Sequence, residues 1–365
     1  MNRSIILATV AIFTFFGGNA QQKQTNKNPK VVFITLDGFR WQELFTGADE
    51  KLVSKKKYVD DKKELKESFW RDTPEERRVA LMPFFWNEVA KMGQLHGNRN
   101  YENNVNLTNT RWFSYPGYNE LLTGAADDKH IRSNSKENNP NKTILEKLND
   151  QPKYKGKVAA FGSWDVLPFI INEERSGVPV NAGFELAKGQ KLSEREQFLN
   201  ELQPNLPSPW EAVRFDAFTS NYALEYMKRK HPELVYISFG ETDDFAHDGN
   251  YSAYLNSAHA TDHLIKKLWE FTQQDSFYKN NTIFIISTDH GRGTEPLEEW
   301  RNHDSKVKGA DQVWLVAFGK DVKVLGEVQT KEQLYSNQIA PSILKLLAPT
   351  MKDNDMKGEI LNLQK

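Results

Sequence analysis

Cysteine is absent from all 365 residues, so the chain forms no disulfide and carries no lipid attached at a cysteine. An excess of either charge is also missing: 48 Lys and Arg stand against 49 Asp and Glu, a formal net charge of -1. That balance leaves no broad cationic field for gripping polymeric nucleic acid or an anionic membrane surface. No segment repeats, and nothing in the sequence sets an oligomeric state. What is present, 38% hydrophobic and 12% aromatic residues, suffices to bury a large core.

The opening stretch MNRSIILATVAIFTFFGGNAQQ sets Arg3 ahead of an apolar run from Ile5 to Phe16 and closes it with Gly18-Asn19-Ala20. The run is shorter than the roughly 20 residues of a membrane-spanning helix, and the small residues sit where a signal peptidase cuts. This predicts a cleaved export signal over residues 1–20, a periplasmic or secreted mature protein, and no stable membrane anchor. A polar leader follows over 21–29, then one catalytic domain over 30–350 and a C-terminal tail over 351–365.

Along the mature chain, short apolar runs alternate with amphipathic stretches, the pattern of an α/β fold with a mostly parallel sheet covered by helices on both faces. The strands are expected at VVFITL (31–36), KVAAFG (157–162), LVYISF (234–239), TIFIIST (282–288) and VWLVAF (313–318). Helical spacing marks FFWNEVAKMG, AFTSNYALEYMKRK, SAYLNSAHATDHLIKKLWEFTQ and LYSNQIAPSILKLLA. The segment 163–212, rich in Pro, Gly and Asn, reads as a cap or an insertion.

Three of these strands lead into acids or histidines: Asp37 after the first, Asp243 and His247 after LVYISF, Asp289 and His290 after TIFIIST. Ligands of open α/β sheets gather at the carboxyl ends of strands. Each element taken singly has a local explanation, as a turn, a cap or a charge pair. Together they form a carboxylate cluster that repels itself without cations. Mixed imidazole and carboxylate donors suit zinc, with manganese or iron as alternatives.

The ordered set Asp37-Gly38, FSYPGYNELLTG, Asp243-x-x-x-His247 and TDHG resembles the alkaline phosphatase superfamily over about residues 30–350. The resemblance implies that superfamily's three-layer sandwich and a two-zinc site. One metal would take Asp37, Asp289, His290 and the Ser114 oxygen; the other would take Asp243, His247 and a later histidine. His303 is the one histidine after His290, and it precedes a closing strand as the pattern asks. Ser114 stands two residues before Pro116, at the position of the superfamily's nucleophile. Its local alternative is a helix N-cap, and both roles are compatible. A serine hydroxyl is a weak nucleophile until a base or cation activates it.

The same resemblance implies a phosphoseryl intermediate on a small-molecule phosphate ester, and an Asn about twenty residues past the nucleophile that contacts its nonbridging oxygens. Asn134 fits by spacing, with Asn138 and Asn139 as rivals. Trp112, Phe113, Tyr115, Tyr118, Trp164 and Phe245 offer rings to a planar leaving group. Tyr118 stands where formylglycine sulfatases keep Arg, and Ser238 where alkaline phosphatases proper keep a magnesium-site Glu. VAAFGSWDVLPF lacks the paired Lys and Arg of another monoesterase branch and resembles the nucleotide pyrophosphatase/phosphodiesterase branch. These absences lean toward a phosphodiester, although Arg111, Lys129, Arg132 and Arg175 are cations available for a monoester. The alternatives are a sulfatase-like hydrolase of the same superfamily and an inactive metal-binding relative.

Overall fold

The computed structural model describes residues 29–365; the expected signal and the leader up to residue 28 lie outside them. Among the described residues the strands are β1 Lys30–Leu36, β2 Gly93–His96, β3 Asn103–Asn106, β4 Val158–Gly162, β5 Val180–Ala182, β6 Leu234–Phe239, β7 Thr282–Ser287, β8 Gln312–Val313, β9 Leu315–Gly319, β10 Gly326–Glu327 and β11 Glu332–Tyr335. Eight form the main sheet in the order β10-β2-β9-β7-β1-β6-β4-β5, and β11-β3-β8 form a second one. In the main sheet β9 runs against its neighbours β2 and β7, while β7, β1, β6, β4 and β5 pair in parallel.

Strand periodicity explains the layering. Along β1, Val31 and Phe33 enter one hydrophobic cluster while Val32, Ile34 and Leu36 enter the other. A strand with both faces covered reads as a continuous apolar run rather than an alternating one. Helices Asp216–Lys230 and Tyr251–Gln274 cover one face through residues such as Tyr222, Met227, Leu255 and Leu268. Helices Ser114–Thr123, Ile144–Asn149 and Ile339–Leu347 cover the other through Leu121, Leu145 and Ile343.

Three segments differ from expectation. VWLVAF divides at Trp314, so that Gln312–Val313 joins the small sheet and Leu315–Gly319 the large one. The strand β2 was not legible because two of its four residues are polar: His96 and Gln94 satisfy each other, Nε2 to Oε1 at 2.9 Å, and so tolerate burial. The segment 163–212 is partly woven into the sheet, since β5 pairs with β4 as its edge strand. The buried Arg214 guanidinium ties it down by donating to the carbonyls of Asn181 at 3.0 Å and Glu185 at 3.2 Å. Residues 351–365 also pack onto the body, burying Met356, Leu361 and Leu363.

The helix Tyr251–Gln274 carries a titratable group into the core. Asp262 accepts the backbone N–H groups of Phe84 at 2.8 Å and Phe85 at 3.0 Å. Burial pushes its carboxyl up to about 7, against roughly 3.9 in an unfolded chain. Because the folded value is the higher one, the associated stability is fully present below about pH 4 and is lost as pH rises through about 7. Replacing Asp262 with Asn is expected to flatten that decline, on the order of 4 kcal/mol. Melting temperatures measured from pH 4 to pH 8 would reveal it; parallel curves for the two proteins would contradict it.

Candidate metal centre

The central strand β1 lies between β6 and β7 in parallel register, with Thr35 opposite both Ser238 and Ser287. The three carboxyl ends therefore emerge side by side. Asp37 follows β1, and its backbone N–H donates to Phe239 O at 2.9 Å. The helix Glu241–His247 begins just after β6, so Asp243 and His247, one turn apart, share a face. Asp289 and His290 leave β7. From the other face of the sheet, helix Ser114–Thr123 brings Ser114 in as its first residue.

These side chains converge. His290 Nε2 lies 3.2 Å from Asp37 Oδ1, 3.5 Å from Asp289 Oδ2 and 3.3 Å from Ser114 Oγ. Beside them His247 Nε2 stands 3.0 Å from His303 Nε2 and 3.3 Å from Asp243 Oδ2. The His303 ring stacks on His290 with centroids 3.8 Å apart. The seven candidate metal-site residues, Asp37, Ser114, Asp243, His247, Asp289, His290 and His303, are thus brought together. Ser114 is the first helical residue rather than a cap; the N-cap is Phe113, which makes no side-chain cap.

At Asp37 and Asp289 one carboxylate oxygen is taken by a protein donor and the other is left facing His290, whereas at Asp243 both oxygens lie near histidines, Oδ1 at 3.6 Å from His290 and His303 and Oδ2 at 3.3 Å from His247. Asp289 Oδ1 accepts the Gly38 N–H at 3.0 Å, and Asp37 Oδ2 accepts the Tyr118 phenol at 2.7 Å. Asp243 Oδ1 accepts from the Arg292 guanidinium. Asp37 Oδ1 and Asp289 Oδ2 are buried with no hydrogen-bond partner, as is His303 Nδ1. His290 Nδ1 lies 2.9 Å from Gly291 O, which assigns the proton to Nδ1 and turns the Nε2 lone pair toward the carboxylates. Two glycines make the approach feasible. Gly38 has φ +55, and a Cβ there would meet Arg292 Nη2 and Asp243 Oδ1 at 2.8 Å; a Cβ on Gly117 would meet Asp289 O at 2.1 Å.

The electrostatics are those of a site made for cations. Burial, and then the charge of Asp243, pushes the Asp37 carboxyl well above the usual range; burial, and then the charge of Asp37, does the same to Asp289. At Asp243 burial acts in that direction too, but Arg292 and then His247 outweigh it and hold the group well below. Orphaned buried oxygens beside imidazole nitrogens fit metal ions. Two donor groups present themselves, Asp37, Asp289 and His290 in one, Asp243, His290 and His303 in the other. His247 joins the second through its Nε2, and His290 stands between the two.

Beside the candidate metal-binding groups a pocket opens, walled by Asn134, Trp164, Val213 and Asp244, with no Lys or Arg among its lining residues. Asn134 Oδ1 accepts the Tyr115 N–H at 3.0 Å. Two expected substrate contacts are corrected. The Tyr115 ring is buried in the helical layer, where its hydroxyl donates to Glu137 O at 2.7 Å. Asn139 is fully buried, and its amide donates to Asn119 Oδ1 and Ile170 O, both at 3.1 Å. Asn138 reaches Glu174 instead, at 3.3 Å. The cations considered from sequence are engaged elsewhere: Arg111 with Asp128 O, Arg132 with Lys129 O, Arg175 with Glu146. Neither they nor Lys129 line the pocket.

Arg292 escaped the sequence reading altogether. It is 1% exposed and donates to Gly38 O at 3.0 Å and Arg301 O at 2.7 Å besides Asp243. Its one sequence signal is its place two residues after His290, within TDHGRG.

The sulfatase family model matches residues 111–349, about two thirds of the chain. The chain belongs to the sulfatase family. Solved structures share the fold of this sulfatase-family chain. They include wild-type alkaline phosphatase PafA, at TM-score 0.58 and 11% identity over 92% of this chain and 98% of that one. BT1596, a 2-O GAG sulfatase, matches at TM-score 0.56 and 13% identity, covering 92% and 73%. The lipoteichoic acid synthase LtaP from Listeria monocytogenes matches at 0.54 and 11%, covering 90% and 74%. No curated protein matches the sequence. The family match and the shared fold support the alkaline phosphatase superfamily that the sequence resembles, whose members are metal-dependent hydrolases of sulfate or phosphate esters. No described helix is long and apolar enough to cross a membrane.

Proposed function

We propose that the chain is an exported hydrolase of singly charged phosphate esters, a phosphodiesterase in preference to a monoesterase, acting through a phosphoseryl intermediate at a two-zinc site. The observation that carries this reading is the pocket itself: donor atoms converge beneath Ser114, and no Lys or Arg lines the opening above them. A monoester dianion gains from an additional cation in the lining, whereas a diester carries one charge and needs none. The Asp244 carboxyl on the wall adds no cation to the opening either.

Asp37, Asp289 and His290 would hold one zinc with Ser114, and Asp243, His247 and His303 the other; manganese and iron are the alternatives. When bound, such ions lower the pKa of a coordinated hydroxyl and neutralise charge on both apical oxygens. The chain's own residues then do the rest. Helix Ser114–Thr123 aims Ser114 Oγ at phosphorus; the Oγ–P bond forms as the bond to the leaving oxygen breaks. Water then hydrolyses the phosphoseryl ester and regenerates the hydroxyl. Asn134, whose Oδ1 accepts the Tyr115 N–H, would meet a nonbridging oxygen through its amide N–H, and Trp164 would offer a ring to the leaving group.

A sulfate monoester is the second reading, favoured by the family match and by its own single charge. Against it stands Tyr118 in the place of the Arg that accompanies formylglycine. Purified protein with zinc, assayed on aryl phosphodiester, phosphomonoester and sulfate, separates these. We expect kcat/KM for the diester to exceed that for the monoester by about tenfold or more. A preference for sulfate by orders of magnitude would overturn the phosphate reading, and no turnover on any of the three would support an inactive metal-binding relative.

A further inference from the structure

Tyr118 follows Ser114 by four residues on the helix Ser114–Thr123 and is 1% exposed. Its phenol donates to Asp37 Oδ2 at 2.7 Å and accepts from Ser238 Oγ at 3.0 Å. A carboxylate that ligates metal is ionised and only accepts, so with the Ser238 proton on the phenol oxygen the phenol proton turns toward Asp37. Thr242 Oγ1 donates to the backbone oxygen of the same residue at 2.5 Å. Asp37 is therefore held at both its carbonyl and one carboxylate oxygen. Its other oxygen, Oδ1, has no partner and faces His290 Nε2 at 3.2 Å.

We infer that Tyr118 is a positioning residue: it locks Asp37 to offer a single oxygen to metal, and it ties the helix that carries Ser114 to that ligand. The inference rests on Asp37 being a metal ligand. Two consequences follow from the geometry. Without the phenol, the carboxylate is free to rotate and turn Oδ1 away from His290, which weakens metal binding. And because Ser114 and Tyr118 lie on one face of one helix, the same hydrogen bond holds the hydroxyl of Ser114 in register with the ligand. Removing partners that orient a metal ligand costs about 10–100-fold in affinity.

The test is zinc affinity of the full-length metal-free protein, measured by competition with a chelator, in wild type, Tyr118→Phe, Ser238→Ala and Asp37→Ala. Tyr118→Phe keeps the ring and its packing. We expect its zinc affinity to fall about 10–100-fold, with a smaller fall in the same direction for Ser238→Ala. At saturating zinc, kcat should fall while KM stays within about twofold, the split expected when a reacting group is displaced and substrate binding is not. A purely structural tyrosine would lower the melting temperature of the metal-free protein and leave zinc affinity untouched. If Asp37→Ala loses zinc and Tyr118→Phe does not, the positioning role fails while the metal site stands. If Asp37→Ala binds zinc like wild type, the metal reading fails and this inference with it. Should Tyr118→Phe not fold, Ser238→Ala decides: unchanged zinc affinity there overturns the role.

Discussion

Replacing Ser114 with alanine is expected to lower turnover of the best substrate by about a thousandfold or more while zinc content stays at the wild-type level. The reason is a division of labour in the geometry. Asp37, Asp289 and His290 converge independently of Ser114, as do Asp243, His247 and His303. Ser114 Oγ sits at their edge, 3.3 Å from His290 Nε2, and opens onto the pocket. Losing it removes the proposed nucleophile without dismantling either donor group. The packing loss is small, because the residue contributes no helix cap. Elemental analysis and steady-state kinetics on the same preparation check both halves. A variant with full activity would mean that the hydroxyl is not the nucleophile, and a variant stripped of zinc would mean that it is chiefly a ligand.

His303→Ala should act in the opposite way. Its ring is held between two other histidines, stacked on His290 at 3.8 Å and with Nε2 at 3.0 Å from His247 Nε2. Burial, and then His290, keeps its pKa well below the ordinary histidine value, so the ring is neutral and presents a lone pair. Removing it leaves Asp243 and His247 as an incomplete set where three protein ligands are the rule for a catalytic zinc. Bound zinc is expected to drop from two ions per chain to one, and turnover by about a hundredfold or more. Metal counts after dialysis against a fixed zinc concentration decide it. Retention of both ions would mean that His303 is not a required ligand of the second ion, with His290, which lies 3.6 Å from Asp243 Oδ1, shared between the two as the first alternative.

Much of this was legible in the linear chain because the relevant information is local. The apolar runs at 31–36, 234–239 and 282–288 announce buried strands, and the acids just beyond them are found by reading on a few residues. Four strands of the parallel part of the sheet were located to within about one residue. His303 required more, since it rests on elimination, as the one histidine after His290, and on its place before a closing strand. Tyr115 was drawn toward the site by its place beside Ser114 and Asn139 by its spacing of about twenty residues beyond it, and packing turns both away. A residue adjacent to a nucleophile on a helix points about a quarter-turn or more aside, and an Asn in a loop finds whichever backbone groups need it. The strand Gly93–His96 escaped notice because its polar side chains satisfy one another only after folding.

By itself, the order of residues determined which chemical groups stand at the ends of which strands, since a strand and its next few residues are covalently bound to appear together. It also determined that no cysteine chemistry and no broad charged surface enter. Tertiary structure alone decided which oxygen of Asp37 and of Asp289 is left free, and which oxygen of Asp243 is held by a guanidinium. That choice depends on donors far away in the chain: Tyr118 for Asp37, Gly38 for Asp289 and Arg292 for Asp243. Hydrogen bonds are directional and short, so their pairing is set by where the sheet register and the nucleophile helix bring distant atoms, a quantity no local pattern contains.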